Sequence, residues 1–589
     1  MLAPFASWVD VLRVQASRMP DKVAFTFLAD GERTTVPLTF GELDHRARGI
    51  AAALASHAAS GARVLLLYPP GLEFIAGFFG CLYAGMVAIP ASPPLTAKAI
   101  ARIDGLARDA DASVALTTAA MRSRLLGRGD RASPLDALPC IATDAIEAPA
   151  GATWRPPAAE RTTVAFLQYT SGSTGDPKGV MVSHGNLLSN AALIAARFEV
   201  TSQSSLVSWL PTFHDMGLIG CILTPIFVGM HCVLLTPLHF VQRPARWLEA
   251  ISRYRTAIAG GPNFAFDLCA RHVTPEEQSA IDLSDWRLAF NGSERVRGDT
   301  LKRFTDRFAR SGFRPQAFFP TYGLAEATLF VSGGPSNRLP PSLTVLPSDL
   351  EQHRVTILQE DTPGGIELIG CGHVALGQTA VIVDPQSAAL CPEDIVGEIW
   401  VRGPGVAQGY WRKPAETAEI FGAVAASSGL EPFVRTGDLG FIHLGELYIT
   451  GRLKELIIVR GLNHYPQDIE ATLERYDPAC AVGSKVAFAL EADGEERLAV
   501  AVELAAHTRH DFPRLASVIR REVQQQHELA VELVLFVRLG RLPKTTSGKI
   551  QRSRCRNDFL AGRLPVLFAS RLGQAERDQA EEWQACTSG

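Results

Sequence analysis

One stretch of the chain is built to hold phosphate. From Tyr169 to Asn186 the sequence reads YTSGSTGDPKGVMVSHGN. Gly172 and Gly175 let backbone N–H groups close on an anion, Thr170, Ser171, Ser173 and Thr174 add hydroxyls, and Lys178 adds a cation. The spacing is not that of a P-loop hydrolase. Running G-x-x-x-x-G-K-[ST] from Gly172 places Pro177 at the second glycine and Gly179 at the magnesium-binding hydroxyl, which excludes that mechanism. What remains is a cradle for a polyphosphate.

Such a loop needs a rigid element to deliver it. The apolar run VAFLQYT (164–170) immediately precedes it and predicts a buried strand ending in a crevice, where α/β enzymes bind ligands. RVLLLY (63–68) and TAIAGGP (256–262) are further apolar runs set between helical patterns, so the predicted class is α/β. VGEIWVRG and GELYITG predict a β-rich subdomain. A boundary is expected near Gly451 to Lys454, giving a core of residues 1–451 and a smaller α+β unit of 452–589. Between about 333 and 370 the alternation dissolves into a Pro-rich excursion that reads as an insertion. The N-terminus reads as an amphipathic helix, and the charged, Ala-rich tail after Leu560 as a helix with a frayed end.

Composition narrows the class. A chain of 589 residues exceeds what one core usually supports, and a net charge of −4 provides no basic excess for nucleic acid. Ten cysteines occur without any C-x-x-C, which argues against a disulfide framework or zinc site and for a cytoplasmic setting. The apolar runs 74–89 and 216–235 are broken by Gly and Pro, so no membrane span is expected.

Six further segments follow in order: SWLPTFHDMGLIG (208–220), LAFNGSERV (288–296), FFPTYGLAEATLF (318–330), VRTGDLGFI (434–442), GRLKELIIVRGLNHYPQDIE (451–470) and LPKTTSGKIQR (542–552). Each is weak alone. In this order, with the phosphate loop, they resemble the adenylate-forming superfamily of acyl-CoA synthetases, nonribosomal adenylation domains and luciferases, over nearly the whole chain. The resemblance implies a large core of two α/β subdomains and a β-rich subdomain, with a mobile C-terminal lid hinged near Lys454. It implies that ATP is the co-substrate, its β- and γ-phosphates held by residues 170–178 while a carboxylate attacks the α-phosphate. Asn291, Gly292, Ser293 and Glu294, with Thr321, Tyr322 and Gly323, are then expected around the adenine, the Tyr322 ring stacking on the base. Glu326 is expected to hold Mg²⁺. Asp438 is expected to accept the ribose hydroxyls, with Arg452 as a nearby donor, and His214 to sit at the acyl entrance. Lys549 would be a solvated loop lysine in isolation; within LPKTTSGKIQR the resemblance makes it catalytic.

Within the superfamily the sequence is most similar to the fatty acyl-AMP ligases. FLQYTSGSTGDPKGVMVSHGNL, GLNHYPQDIE and the excursion after Phe330 carry that likeness. It implies activation of a medium- or long-chain fatty acid and transfer to the phosphopantetheine thiol of a separate holo acyl carrier protein, with fatty acyl-CoA ligase as the alternative. In that branch the insertion is thought to restrain the movement needed for coenzyme A. A catalytically silent scaffold of the same fold would have lost the phosphate loop, the carboxylate or the lysine, and all are retained. The run KIQRSRCR beside Lys549 is expected either to be a solvated face or to steer an acidic carrier protein through Arg552 and Arg554.

Overall fold

Short runs dominated by Val, Ile, Leu, Ala and Gly form strands buried on both faces, as parallel sheets require. Val87–Pro90, Val114–Thr117, Ile258–Gly261 and Leu288–Asn291 are buried at each residue. The computed structural model describes residues 5–573, apart from 94–96, 127–133, 147–153, 172–176, 335, 427–428, 430, 460–461, 477–482, 493–494, 505–510 and 546–548.

Two α/β sheets make the core. A six-stranded sheet runs in the order Cys140–Ala142, Val114–Thr117, Arg63–Leu66, Val87–Pro90, Val164–Ser171, Pro177–Ser183, parallel except for the last pair. In the nine-stranded sheet Phe318–Gly323, Leu288–Asn291, Ile258–Gly261 and Ser205–Ser208 are successive parallel neighbours, and both margins are antiparallel. One apolar core joins the sheets, with the helix Leu72–Tyr83 and an aromatic group including Trp209, Trp247 and Trp286. The helix Trp8–Arg18 opens on a Ser7 capping box.

An antiparallel sheet, Thr379–Val383, Gly397–Arg402, Val434–His443 and Glu446–Arg452, forms the β-rich part. Beyond it a four-stranded sheet, Lys485–Ala492, Glu495–Leu504, Val531–Arg538 and Val566–Arg571, carries the helices Pro466–Tyr476 and Phe512–His527 on one face. The helix Arg552–Leu560 covers the other, with Cys555 buried.

Three sequence expectations are refined. The excursion is an ordered three-stranded sheet, Ile357–Leu358, Ser342–Val345 and Ile366–Ile369. The segment after Leu560 contributes a strand, Val566–Arg571, because it can pair antiparallel with Val531–Arg538, a tertiary opportunity that composition hides; residues 574–589 lie outside the described set. The apolar run from Met216 divides into a π-helical turn Met216–Leu223, a short helix Thr224–Val228 and the strand His231–Leu234. No described helix is long and apolar enough to cross a membrane.

Candidate active site

The phosphate-loop strands place Thr170 opposite Lys178. Gly172, Ser173, Thr174 and Gly175 lie outside the described residues, and Ser171 ends the first strand. Lys178 pairs with Glu416 and lies 5.2 Å from the Tyr410 ring centre. The Tyr410 hydroxyl donates to Glu326 Oε1 at 2.8 Å. Burial raises the Glu326 carboxyl above its ordinary value, and the Tyr410 bond moderates the rise. The strand Pro177–Ser183 and Glu326 thus meet on one tyrosine. No group of three or more potential metal ligands occurs among the described residues. A lone carboxylate beside a phosphate loop suits Mg²⁺, which takes one or two carboxylates and completes its octahedron with water and phosphate oxygens.

The segment 291–294 starts where its parallel strand ends. Asn291 is fully buried, and its amide atoms have no hydrogen-bond partner among the described residues. A side chain at Gly292 would lie 2.3 Å from Thr321 Oγ1, so only glycine lets the two loops touch. Ser293 has φ +73°, which turns the chain into the cleft. Glu294 Oε1 accepts from the Phe264 N–H at 2.7 Å, and burial raises its carboxyl despite that bond and nearby cations. In the next sheet Asp438 accepts from the Tyr322 hydroxyl at 2.9 Å and from Arg452 Nε at 2.7 Å. A carboxylate offers about four lone-pair sites, so two stay open for a diol. Gly323 continues the Tyr322 strand into the same cleft.

His214 approaches Asp215 through Nδ1 at 2.6 Å. Asp215 then accepts from the Met216 N–H at 2.7 Å and starts the π-helical turn, a geometry found often at functional sites. Gly217 is required here, since a Cβ would lie 2.1 Å from the Pro211 carbonyl. Gln168, just before the phosphate loop, donates to the Phe213 carbonyl at 3.2 Å and so braces the histidine turn. Burial pushes Asp215 up, but His214, Lys549 and the Met216 N–H outweigh it and hold the carboxyl below its usual value.

Lys549 comes from the C-terminal unit. Its backbone is pinned to Thr545 by two bonds, of 3.0 and 2.7 Å. Burial lowers its ammonium below the ordinary lysine value, opposed chiefly by Asp215 and Glu294. One cleft of about 1900 Å³ is lined by Thr170, His214, Glu294, Tyr322, Asp438 and Lys549. These side chains span the sequence from residue 170 to residue 549, and a single space collects them. Glu326 and Lys178 are not among the residues lining this cleft; they meet beside it on Tyr410, which donates to Glu326 and carries Lys178 over its ring.

Several contributors carry no motif of their own. Tyr410, Glu416 and Gln168 are ordinary by type. Asp215 had a signal in its adjacency to His214, and Gln168 in its place within FLQYTSGSTGDPKG. One member of the basic run is corrected: Arg552 is no rim charge, because its guanidinium binds Glu470 at 2.8 and 2.6 Å and Glu455 at 2.7 Å, with only 15% of the side chain exposed, whereas Arg554 is 39% exposed. The ordered insertion touches the C-terminal unit. Asn463 donates from its backbone and side chain to the Glu351 carbonyl at 3.2 and 3.0 Å, and His464 Nδ1 lies 2.8 Å from Glu351 Oε1. Val345 and Leu350 of the insertion share a core with Leu456 and Tyr465.

Two family models cover the chain, the AMP-binding enzyme over residues 12–411 and the Disco-interacting protein 2-like AMP domain over 454–568. A medium-chain-fatty-acid–[acyl-carrier-protein] ligase of Moorena producens is 42% identical over 95% of this chain and 96% of its own. A long-chain-fatty-acid–AMP ligase of Mycobacterium tuberculosis is 38% identical over 92% of this chain and 95% of its own. The crystal structure of a Legionella pneumophila fatty acyl-adenylate ligase, in complex with acyl adenylate and pyrophosphate, matches with a TM-score of 0.75 and 40% identity, covering 96% and 98% of the two chains. Sequence, sheet order and the convergence of these side chains agree: the chain belongs to the AMP-binding enzyme family, in its fatty acyl-AMP ligase branch.

Proposed function

We propose that this ligase joins a medium- or long-chain fatty acid to AMP, releasing pyrophosphate, and then passes the acyl group to the phosphopantetheine thiol of a separate acyl carrier protein. The observation that carries this reading is Lys549, brought by the C-terminal unit into the cleft where Asp215 and Glu294 act on its charge. In the attack, negative charge spreads over the fatty carboxylate and the α-phosphate. An ammonium held among carboxylates and largely removed from water stabilises that charge without reorganising.

The remaining side chains divide the tasks. Thr170, Ser171 and Lys178, with residues 172–175, bind the β- and γ-phosphates. Glu326, oriented by Tyr410, would hold Mg²⁺, which when bound would neutralise phosphate charge. Asp438 takes the ribose hydroxyls on its open lone pairs, Arg452 fixes that carboxylate, and the Tyr322 ring offers a face to adenine. Asn291, Gly292, Ser293, Thr321 and Gly323 shape the nucleotide wall, and His214 faces the acyl carboxylate. Residues 1–451 are the core in this reading, and 452–589 a lid turning near Lys454, which is exposed in a single 3-10 turn.

For the acceptor, we read the contacts of Asn463 and His464 with Glu351, which tie the insertion to the C-terminal unit, as the restraint that disfavours coenzyme A. The two relatives described above are named as a carrier-protein ligase and an AMP ligase. The test supplies ATP, Mg²⁺ and a fatty acid, then holo carrier protein or coenzyme A in parallel. Acyl-AMP and acylated carrier protein should accumulate with little acyl-CoA. Acyl-CoA formed at a rate rivalling carrier-protein loading would overturn the assignment of acceptor.

A further inference from the structure

The turn that carries Glu294 toward Lys549 also carries two arginines that grip the lid. Arg295 Nη1 lies 2.6 Å from Asp468 Oδ1, with the two side chains only 13% and 14% exposed. Arg297 Nη1 lies 2.9 Å from Glu474 Oε2, with exposures of 30% and 27%. Arg295 and Arg297 stand two apart on the turn after the strand Leu288–Asn291, while Asp468 and Glu474 lie on one lid helix, Pro466–Tyr476. Two cations of one turn therefore bind two anions of one helix. The inner pair is the more sheltered from water, where a charge left without its partner is most costly.

The geometry points to an electrostatic clamp in which Arg295 and Asp468, seconded by Arg297 and Glu474, hold the lid in the orientation that presents Lys549 for adenylation. Ser293 and Glu294, which face the nucleotide side of the cleft, are continuous with Arg295. Packing of the nucleotide against this turn and closure of the lid thus depend on the same few backbone dihedrals. Opening the lid for a second acceptor separates both pairs; Glu474 keeps Lys485 at 3.9 Å, whereas Arg295 and Asp468 lose the partner that shelters them. Arg295 and Asp468 are positioning residues: they act through Lys549 and set how the enzyme divides its time between the two half-reactions. This inference rests on the proposed two-step reaction, and the clamp itself is read from the first step alone.

The test uses the full chain with Arg295→Ala, Asp468→Ala, the double alanine variant, and the exchange Arg295→Asp with Asp468→Arg. Pyrophosphate–ATP exchange reports adenylation, and transfer from chemically supplied acyl-AMP to holo carrier protein reports the second step. Each single variant should lower exchange by about tenfold or more, in kcat rather than in KM for the fatty acid. The double variant should be no worse than either single, and the exchanged pair should recover most of the loss. Transfer from supplied acyl-AMP should hold or rise. Should Arg295→Ala melt early, the isosteric Asp468→Asn reads the same pair. Additive losses, no recovery in the exchanged pair, or an equal fall in both half-reactions would overturn the clamp. A wild-type protein that adenylates but loads no carrier protein would instead defeat the proposed acceptor, and the exchange assay would still decide the clamp.

Discussion

Arg452 Nε donates to Asp438 Oδ1 at 2.7 Å, while the arginine side chain stays 62% exposed and the aspartate only 8%. The cation sits outside and the carboxylate inside, which leaves Asp438 oriented and open to the cleft. Asp438→Asn keeps the shape but replaces an acceptor oxygen with a donor and removes the charge that holds Arg452. KM for ATP should rise by about tenfold to hundredfold, the cost of a charged hydrogen bond and its misdirected partner. Since Arg452 faces water, the melting temperature should change little. Exchange kinetics at varied ATP check the first point and a thermal melt the second.

Tyr410→Phe removes the donor that moderates the burial-driven rise of Glu326. The Glu326 pKa should climb further. Activity that needs this carboxylate ionised is lost as pH falls through its pKa, so the acid limb of the adenylation profile should move to higher pH, and more Mg²⁺ should be needed for half-maximal rate. A profile and Mg²⁺ titration unchanged from wild type would remove Tyr410 and Glu326 from the metal reading.

The insertion should be tested by point substitution and not by excision. Removing residues 337–363 would strip Val345 and Leu350 from a core shared with Leu439, Phe441 and Tyr448, and would unfold more than a restraint. Asn463→Ala combined with Glu351→Ala cuts polar bonds to the lid and leaves that core in place. Acyl-CoA formation should rise several-fold relative to carrier-protein loading. An unchanged ratio would dissociate these contacts from acceptor choice.

Arg552→Glu should damage folding of the lid. It would set a third carboxylate beside Glu470 and Glu455 in place of their shared cation, at a cost of about 3–5 kcal/mol by the measure of broken buried pairs. A lowered melting transition and loss of both half-reactions are expected. Selective slowing of carrier-protein loading in a normally stable variant would restore the steering role that the basic run first suggested.

What could be read from the sequence follows from how local each signal is. VAFLQYT, TAIAGGP and GELYITG state their strands in their own apolar pattern, and the structure has strands at Val164–Ser171, Ile258–Gly261 and Glu446–Arg452. Lys549, Asp438 and Tyr322 stand in motifs whose order marks the superfamily. Arg552 was misleading because its neighbours in sequence are basic, whereas its partners lie 82 and 97 residues away. The contacts of Glu351 with Asn463 and of Arg295 with Asp468 span 112 and 173 residues, and only tertiary packing creates them. The strands of the insertion were hidden by their shortness and by the polar residues between them.

The proposed division of the two half-reactions depends on Lys549. In Lys549→Ala, pyrophosphate–ATP exchange should fall by about 10²–10³, the loss typical of one preorganised electrostatic donor. Chemically supplied acyl-AMP should still be transferred to holo carrier protein at near the wild-type rate. In the wild type, the lowered lysine pKa should bring the alkaline limb of adenylation below the ordinary lysine range, because the charged form is lost as pH rises through that value. The decisive measurement is the pair of half-reaction rates in folded Lys549→Ala: adenylation lost with transfer retained is the predicted result, and normal adenylation, or equal loss of both, would contradict it.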